Sequence, residues 1–336
     1  MPANSKEKTD DKPAQEQPQK QNSLWVEKYR PKNFDEIIGQ GDSVEKLKAM
    51  LSKGEVQHMI LSGPPGVGKT TSAVVLAKMV FGDNWNQNFI ELNASDDRKL
   101  SVIQGKVKEF ARTKPIDAPF KMILFDEGDS LTQEAQQALR RMMEEYSSTC
   151  RFLFSVNYQN NIIEPLQSRC VILRFQPLLQ KDIEAYIGRI AKSEDLQIDA
   201  NAMEALYYVS KGDLRLVTNL LQSLSNVSRK IDASTVYTNS GVLDTGKILE
   251  GVKTALGGDY IKSREIFADL LDSGVNTREL LLQIFNIVIS NEELVDQKAK
   301  GYIIEKLAEV DYRIVEGATP FIQFQALLAF LATFNK

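Results

Sequence analysis

The sequence predicts an α/β fold: a parallel-sheet domain followed by two helical domains. Two observations predict it. Five short apolar runs alternate with helical patterns: "HMILSG" (58–63), "NFIEL" (88–92), "KMILF" (121–125), "RFLFSV" (151–156) and "CVILRF" (170–175). Strands separated by helices build parallel sheets covered on both faces. After Pro177 the strand patterns stop, and only helical periodicity continues.

Taken in order, residues 1–22 are polar, rich in Gln, Lys and Pro and without apolar periodicity, which predicts a disordered tail. Residues 23–177 hold the five runs, with "TTSAVVLAKMVFG" and "TQEAQQALRRMMEEY" as helices between them. Residues 178–240 open on a helical stripe of Ile183, Tyr186, Ile187 and Ile190, and Asp199, Asp213 and Asp232 are each placed to start a further helix. "TNSGVLDTG" (238–246) reads as a linker. Residues 241–336 show helices over 245–256, 259–272, 276–289, around 294–312 and over 320–334, with Gly257, Gly258 and Gly274 as punctuation. "FIQFQALLAFLATF" (321–334) is apolar enough to suit either a core or a protein partner.

Composition bounds the chemistry. A net charge of −4 is not that of a basic nucleic-acid coat, although a local stripe of Lys and Arg remains compatible with DNA. One histidine, His58, leaves no His-rich metal site, and any Ser-His-Asp triad would have to use it. Two cysteines, Cys150 and Cys170, fit free thiols in a reducing compartment. No apolar run approaches a membrane span, and the N-terminus lacks the apolar stretch of a signal peptide.

"GPPGVGKT", Gly63 to Thr70, follows a strand pattern and opens a helix, the setting of a phosphate-binding loop. Gly63, Pro64, Pro65, Gly66, Val67 and Gly68 form the cradle, in which the glycines let backbone N–H groups turn toward phosphate oxygens. Lys69 supplies a point charge and Thr70 a hydroxyl for Mg²⁺, with Thr71 just behind. "MILFDEGDS" places Asp126 at the C-terminal end of a buried strand, where it can hold Mg²⁺, and Glu127 where it can polarise a water. Asn157 closes another apolar run, within reach of an attacking water. Arg215 in "GDLR" begins a helix from which a cation can reach back to phosphates. Arg169 stands before the last strand. Its anionic partner is either Glu164 on the same chain or a phosphate on a neighbouring one.

The motifs "WVEKYRPKNFDEIIGQ", "GPPGVGKTT", "ELNASD", "EFARTKPI", "QQALRRMMEEY", "IIEPLQSRC" and "GDLR" stand in the order seen in replication factor C small subunits of the archaeal type. The resemblance covers about residues 23–336 and is weaker in the C-terminal third. These are clamp-loader ATPases of the AAA+ class. The resemblance therefore implies an AAA+ domain, a helical lid (178–240) and a helical collar for oligomerisation (241–336). It implies ATP and Mg²⁺ as cofactors. The implied partners are large and small loader subunits in a pentamer, a sliding clamp and primer–template DNA, with no membrane. The implied setting is the cytoplasm, or the nucleus in a eukaryote.

By position, the resemblance makes Lys69, Asp126, Glu127, Asn157 and Arg215 catalytic in the chain's own site, with Thr70 and Asp126 on the metal. Arg169 acts in trans on the next subunit's nucleotide. Val26, Tyr29, Arg30 and Pro31, with the segment from Ile37 through Ile38 and Gly39 to Gln40, surround adenine. Arg98 and Lys99 face DNA; Val107 and Phe110 are candidates for clamp contact and equally for the core. Two departures stand out: Gly128 replaces the usual Ala of D-E-A-D, which would loosen a helix start, and Gln104 replaces a DNA-facing arginine. Alternatives are an ATP-binding scaffold that lends Arg169 with little turnover, and another AAA+ DNA motor. A branch-migration helicase would need a C-terminal winged helix with a β-hairpin, which an all-helical stretch after 245 does not supply.

Overall fold

The computed structural model describes residues 24–96, 101, 103–272, 275–291 and 293–334. Five strands form one parallel sheet: β1 (Met59–Ser62), β2 (Phe89–Asn93), β3 (Lys121–Asp126), β4 (Cys150–Val156) and β5 (Val171–Arg174), in the order β2-β3-β4-β1-β5. Alternation sorts their side chains. Met59, Leu61, Met122, Leu124, Leu153 and Leu173 enter one core, while Ile60, Ile123, Phe125, Phe152 and Phe154 enter another on the opposite face. Phe125 and Phe154 stack with centroids 5.2 Å apart. Both faces are thus dry, which is why these strands read as continuous apolar runs.

The C-terminal end of β5's outer flank is covered by side chains. Ser43 Oγ donates to Arg174 O at 2.8 Å, Gln40 Nε2 donates to Gln176 O at 2.8 Å, and Gln40 Oε1 accepts from Gln176 N at 2.9 Å. Gln40 and Ser43 are both buried, and they take up backbone groups that a further strand would otherwise claim.

The first core does not stop at Pro177. It runs on through Leu178, Ile183, Ile187, Leu206, Leu221 and Val236, so the sheet and the following helices share one interior. Asp199, Asp213 and Asp232 cap the helices Ala200–Ser210, Leu214–Val227 and Ala233–Ser240, each accepting from backbone N–H groups of the first turn. Two differences from the sequence reading appear in this segment. Strands do recur after Pro177, as the two-residue parallel pair β6 (Gln197–Ile198) and β7 (Lys230–Ile231). The linker is also shorter than 238–246. The helix runs to Ser240, Gly241 ends it at φ 66°, and Asp244 already caps the next one.

The remaining helices are Thr245–Leu256, Tyr260–Asp272, Thr277–Ser290, Gln297–Val315 and Pro320–Ala332, around a third core from Leu243 to Leu331. "FIQFQALLAFLATF" divides its faces: Phe324, Leu327, Leu328 and Leu331 are buried in that core, while Phe321 and Ile322 are exposed. Cys150 and Cys170 are free thiols, and burial pushes both up to about 12. Among the described residues no helix is long and apolar enough to cross a membrane.

Candidate nucleotide site

The loop from Gly63 to Gly68 joins β1 to the helix Lys69–Phe81 at the C-terminal edge of the sheet. Its glycines answer to particular neighbours. A Cβ on Gly63 would lie 2.2 Å from Phe175 O, and one on Gly66, at φ +69°, would lie 1.8 Å from Asp213 Oδ1. Leu214 N donates to Gly66 O at 3.1 Å. The helix that carries Arg215 is therefore seated directly on the loop, and the cap Asp213 accepts from Arg215 N and Leu216 N.

Lys69 is buried at the first position of its helix. Its Nζ donates to Gly63 O (2.8 Å), Pro64 O (2.6 Å) and Asn157 Oδ1 (2.9 Å). Burial lowers its pKa to about 8. The carboxylates of Asp126, Asp129 and Asp213 oppose that shift, and the Arg215 guanidinium reinforces it. Thr70 Oγ1 donates to Asp126 Oδ1 at 2.8 Å and lies 3.3 Å from Ser155 Oγ. This hydroxyl–carboxylate pair is a hard-oxygen donor set suited to Mg²⁺. Among the described residues no group of three or more His, Cys, Asp or Glu could hold a metal ion.

Glu127 is exposed and holds left-handed backbone at φ 52°, a strained state for a residue with a Cβ. Gly128 follows in the single turn Gly128–Ser130, buried, and the next helix starts only at Gln133. The expected loosening of a helix start is therefore corrected. A Cβ at 128 would come to 3.4 Å from Phe154 and Val156, so this residue sits under β4 and outside any α-helix.

One pocket is lined by Val26, Tyr29, Arg30, Pro31, Ile37, Ile38, Pro65 to Thr71, Asp126, Glu127, Asn157 and Arg215. Sequence reasoning missed Glu36, Ser155, Tyr186, Leu214 and Thr218 on the same wall. Tyr186 had shown only as one apolar position of a helical stripe; its hydroxyl lies 2.8 Å from Thr218 Oγ1. Gly63 and Pro64 stand behind the wall and act through their carbonyls on Lys69. Gly39 and Gln40 also fall outside it: Gly39 abuts Leu178, and the Gln40 side chain is spent on the backbone of Gln176. The N-terminal segment is tied to the helices Gln180–Glu194 and Leu214–Val227: Trp25 N donates to Gln222 Oε1 at 3.0 Å, Lys28 pairs with Glu194 at 2.5 Å, and Tyr29 donates to Glu194.

Arg169 does not line this pocket. It pairs with Glu144 at 2.5 Å and donates to Pro165 O at 2.8 Å, with about a third of its side chain exposed (35%). Its partner on this chain is thus Glu144, on a neighbouring helix, and not Glu164. The two clamp-contact candidates separate. Val107 is fully buried in the second core, so its side chain is removed from any surface. Phe110 is half-buried beneath Lys121 Nζ, 4.4 Å from its ring. Arg98 and Lys99 lie outside the described residues.

Residues 59–178 match the family model of the ATPases associated with various cellular activities, and residues 245–330 that of the replication factor C C-terminal domain. Residues 29–88 also match the Holliday junction DNA helicase RuvB P-loop domain. A solved structure of the Thermotoga maritima RuvB branch migration motor superposes with a TM-score of 0.53 at 23% identity, over 67% of this chain and 78% of that one, a likeness of fold. The replication factor C small subunit of Archaeoglobus fulgidus is 43% identical over 93% of this chain and 98% of its own length. That of Methanococcus vannielii is 45% identical over 91% and 97%, and that of Sulfurisphaera tokodaii 44% over 93% and 96%. With a phosphate loop, an acidic strand end and a helical C-terminal domain carried in one chain at this identity, the protein belongs to the replication factor C small-subunit family of AAA+ ATPases.

Proposed function

We propose that this clamp-loader subunit binds ATP with Mg²⁺ in the pocket around Lys69 and hydrolyses it where a neighbouring subunit completes the site. The observation that carries the reading is a division of labour. Lys69, Thr70, Asp126, Glu127, Asn157 and Arg215 converge on one pocket, while Arg169 stands outside it on the surface. The apolar part of the wall, with Val26, Ile37, Ile38 and Leu214, receives the adenine. Loop amides and the Lys69 ammonium hold the phosphates. Thr70 and Asp126 would hold Mg²⁺, which would supply positive charge against the phosphates. Glu127 orients the attacking water and takes its proton, Asn157 fixes that water against the γ-phosphate, and Arg215 draws the lid onto the nucleotide.

Arg169 serves the adjoining site. An arginine supplied in trans is worth about 10³–10⁵ in rate. In this reading hydrolysis is coupled to opening a sliding clamp and closing it around primer–template DNA. The collar holds the large and small subunits in a pentamer.

The test is steady-state hydrolysis by the assembled loader. Glu127→Gln in this chain is expected to keep ATP binding and lower turnover, and Arg169→Ala to slow the adjoining site. An assembled rate unchanged by Arg169→Ala removes the trans role. A rate unchanged by Lys69→Ala in this chain favours a scaffold that lends Arg169 without turning over itself.

A further inference from the structure

We propose that Asp129 is a positioning residue for hydrolysis, its carboxylate setting the loop that carries Asn157. The proposal rests on the reading of this pocket as an ATPase centre. Asp129 lies two residues beyond Glu127 in the turn Gly128–Ser130. Its Oδ2 accepts from the backbone N–H of Asn157 at 3.2 Å and of Tyr158 at 3.1 Å. These are the first two amides past the end of β4, where the chain leaves the sheet. On its other side Asn157 presents Oδ1 to Lys69 Nζ at 2.9 Å. One carboxylate therefore grips the main chain of the residue whose side chain meets the phosphate-loop lysine. Asp129 does not itself line the pocket, so it acts through Asn157.

The far half of the same loop has separate anchors. Gln136 is buried; its Nε2 donates to Leu131 O (3.1 Å) and Asn161 O (3.0 Å), and its Oε1 accepts from Ile163 N (2.8 Å). Gln167 Nε2 donates to Ile162 O at 2.7 Å. With residues 161–163 fixed in this way, loss of the Asp129 carboxylate releases the near end, residues 157 and 158. The same turn carries Glu127 at its head. One short segment thereby places both the residue that activates water and, through Asp129, the residue that fixes it.

The test uses the full-length chain in the assembled loader. Asp129→Ala is expected to lower kcat about tenfold while changing the KM for ATP less than about twofold, the pattern of a lost transition-state contact. Asp129→Asn keeps an acceptor oxygen and is expected to recover most of that rate. Asp129→Ala added to Asn157→Ala is expected to cause no further loss, because both remove one arrangement. Amide hydrogen exchange is expected to accelerate at residues 157–158 and to stay unchanged at 161–163. Should Asp129→Ala fail to assemble, Asp129→Ser, whose shorter side chain falls short of both amides, carries the same expectations. The proposal is overturned if turnover is unchanged in Asp129→Ala while Glu127→Gln is slow, if the Asp129 and Asn157 losses multiply, or if only KM rises. A normal rate in Glu127→Gln would instead overturn the ATPase reading itself.

Discussion

Lys69 shows how much one side chain has to accommodate. Its ammonium is buried against loop carbonyls, and its pKa falls to about 8. A lysine depressed in the fold binds fewer protons than in the unfolded chain between about pH 8 and the usual 10.5, so its contribution favours the fold increasingly as pH rises through that window. Phosphate oxygens reverse the effect by stabilising the charged form. ATP binding near pH 8.5, about the middle of the Lys69 transition, is therefore expected to take up protons. Calorimetric titration in two buffers of different ionisation enthalpy measures this uptake, and Lys69→Met should abolish it. Equal enthalpies in both buffers for the unsubstituted protein would refute it. The role of Lys69 was legible because its motif has a fixed spacing. The partner of Arg169 was not, since Glu144 is 25 residues away and no local pattern joins the two. Val107 was left open between clamp contact and core for a related reason: helical periodicity marks a position as apolar without saying whether a core or a partner covers it.

At the scale of elements, the contact between the phosphate loop and the lid helix is the critical one. Gly66 is not demanded by the spacing of the phosphate motif. It is demanded by Asp213, which occupies the space a side chain at 66 would fill, and by its own positive φ. Gly66→Ala is expected to unseat the helix bearing Arg215 and weaken ATP binding by at least about tenfold, because a rigid clash in close-packed surroundings is relieved only by displacement. Titration with a fluorescent ATP analogue checks this. Arg215→Ala should then add little in the Gly66→Ala background, and full additivity would argue that the two elements act separately. The caps Asp199, Asp213 and Asp232 were readable because a capping side chain bonds to amides within its own turn. The β6–β7 pair was not, as two residues cannot display a period. Tyr186 and Thr218 were hidden because a helix's stripe does not say which of its ends overlooks a pocket.

At the scale of the molecule, the interior divides differently from the sequence segments. The sheet and the helices of residues 178–240 share a core from Trp25 to Val236, whereas the C-terminal helices enclose their own from Leu243 to Leu331. Two calorimetric unfolding transitions are expected, one for each body. Gly251→Ala, whose Cβ would meet Phe267 Cε2 at 2.6 Å, should lower only the second, by about 1–3 kcal/mol. A single cooperative transition lowered as a whole would contradict this. The order of domains could be read because strand and helix periods differ. The sharing of a core could not, because it depends on which faces meet.

The plugged flank of β5 bears on how such a chain can live among copies and relatives of itself. With Ser43 and Gln40 answering Arg174 O and both backbone groups of Gln176, an incoming strand would have to displace two buried side chains to pair at that end of β5. The end of the sheet beside the phosphate loop is thereby guarded against strand addition, and a copy of the chain that met it would have to dock on side chains.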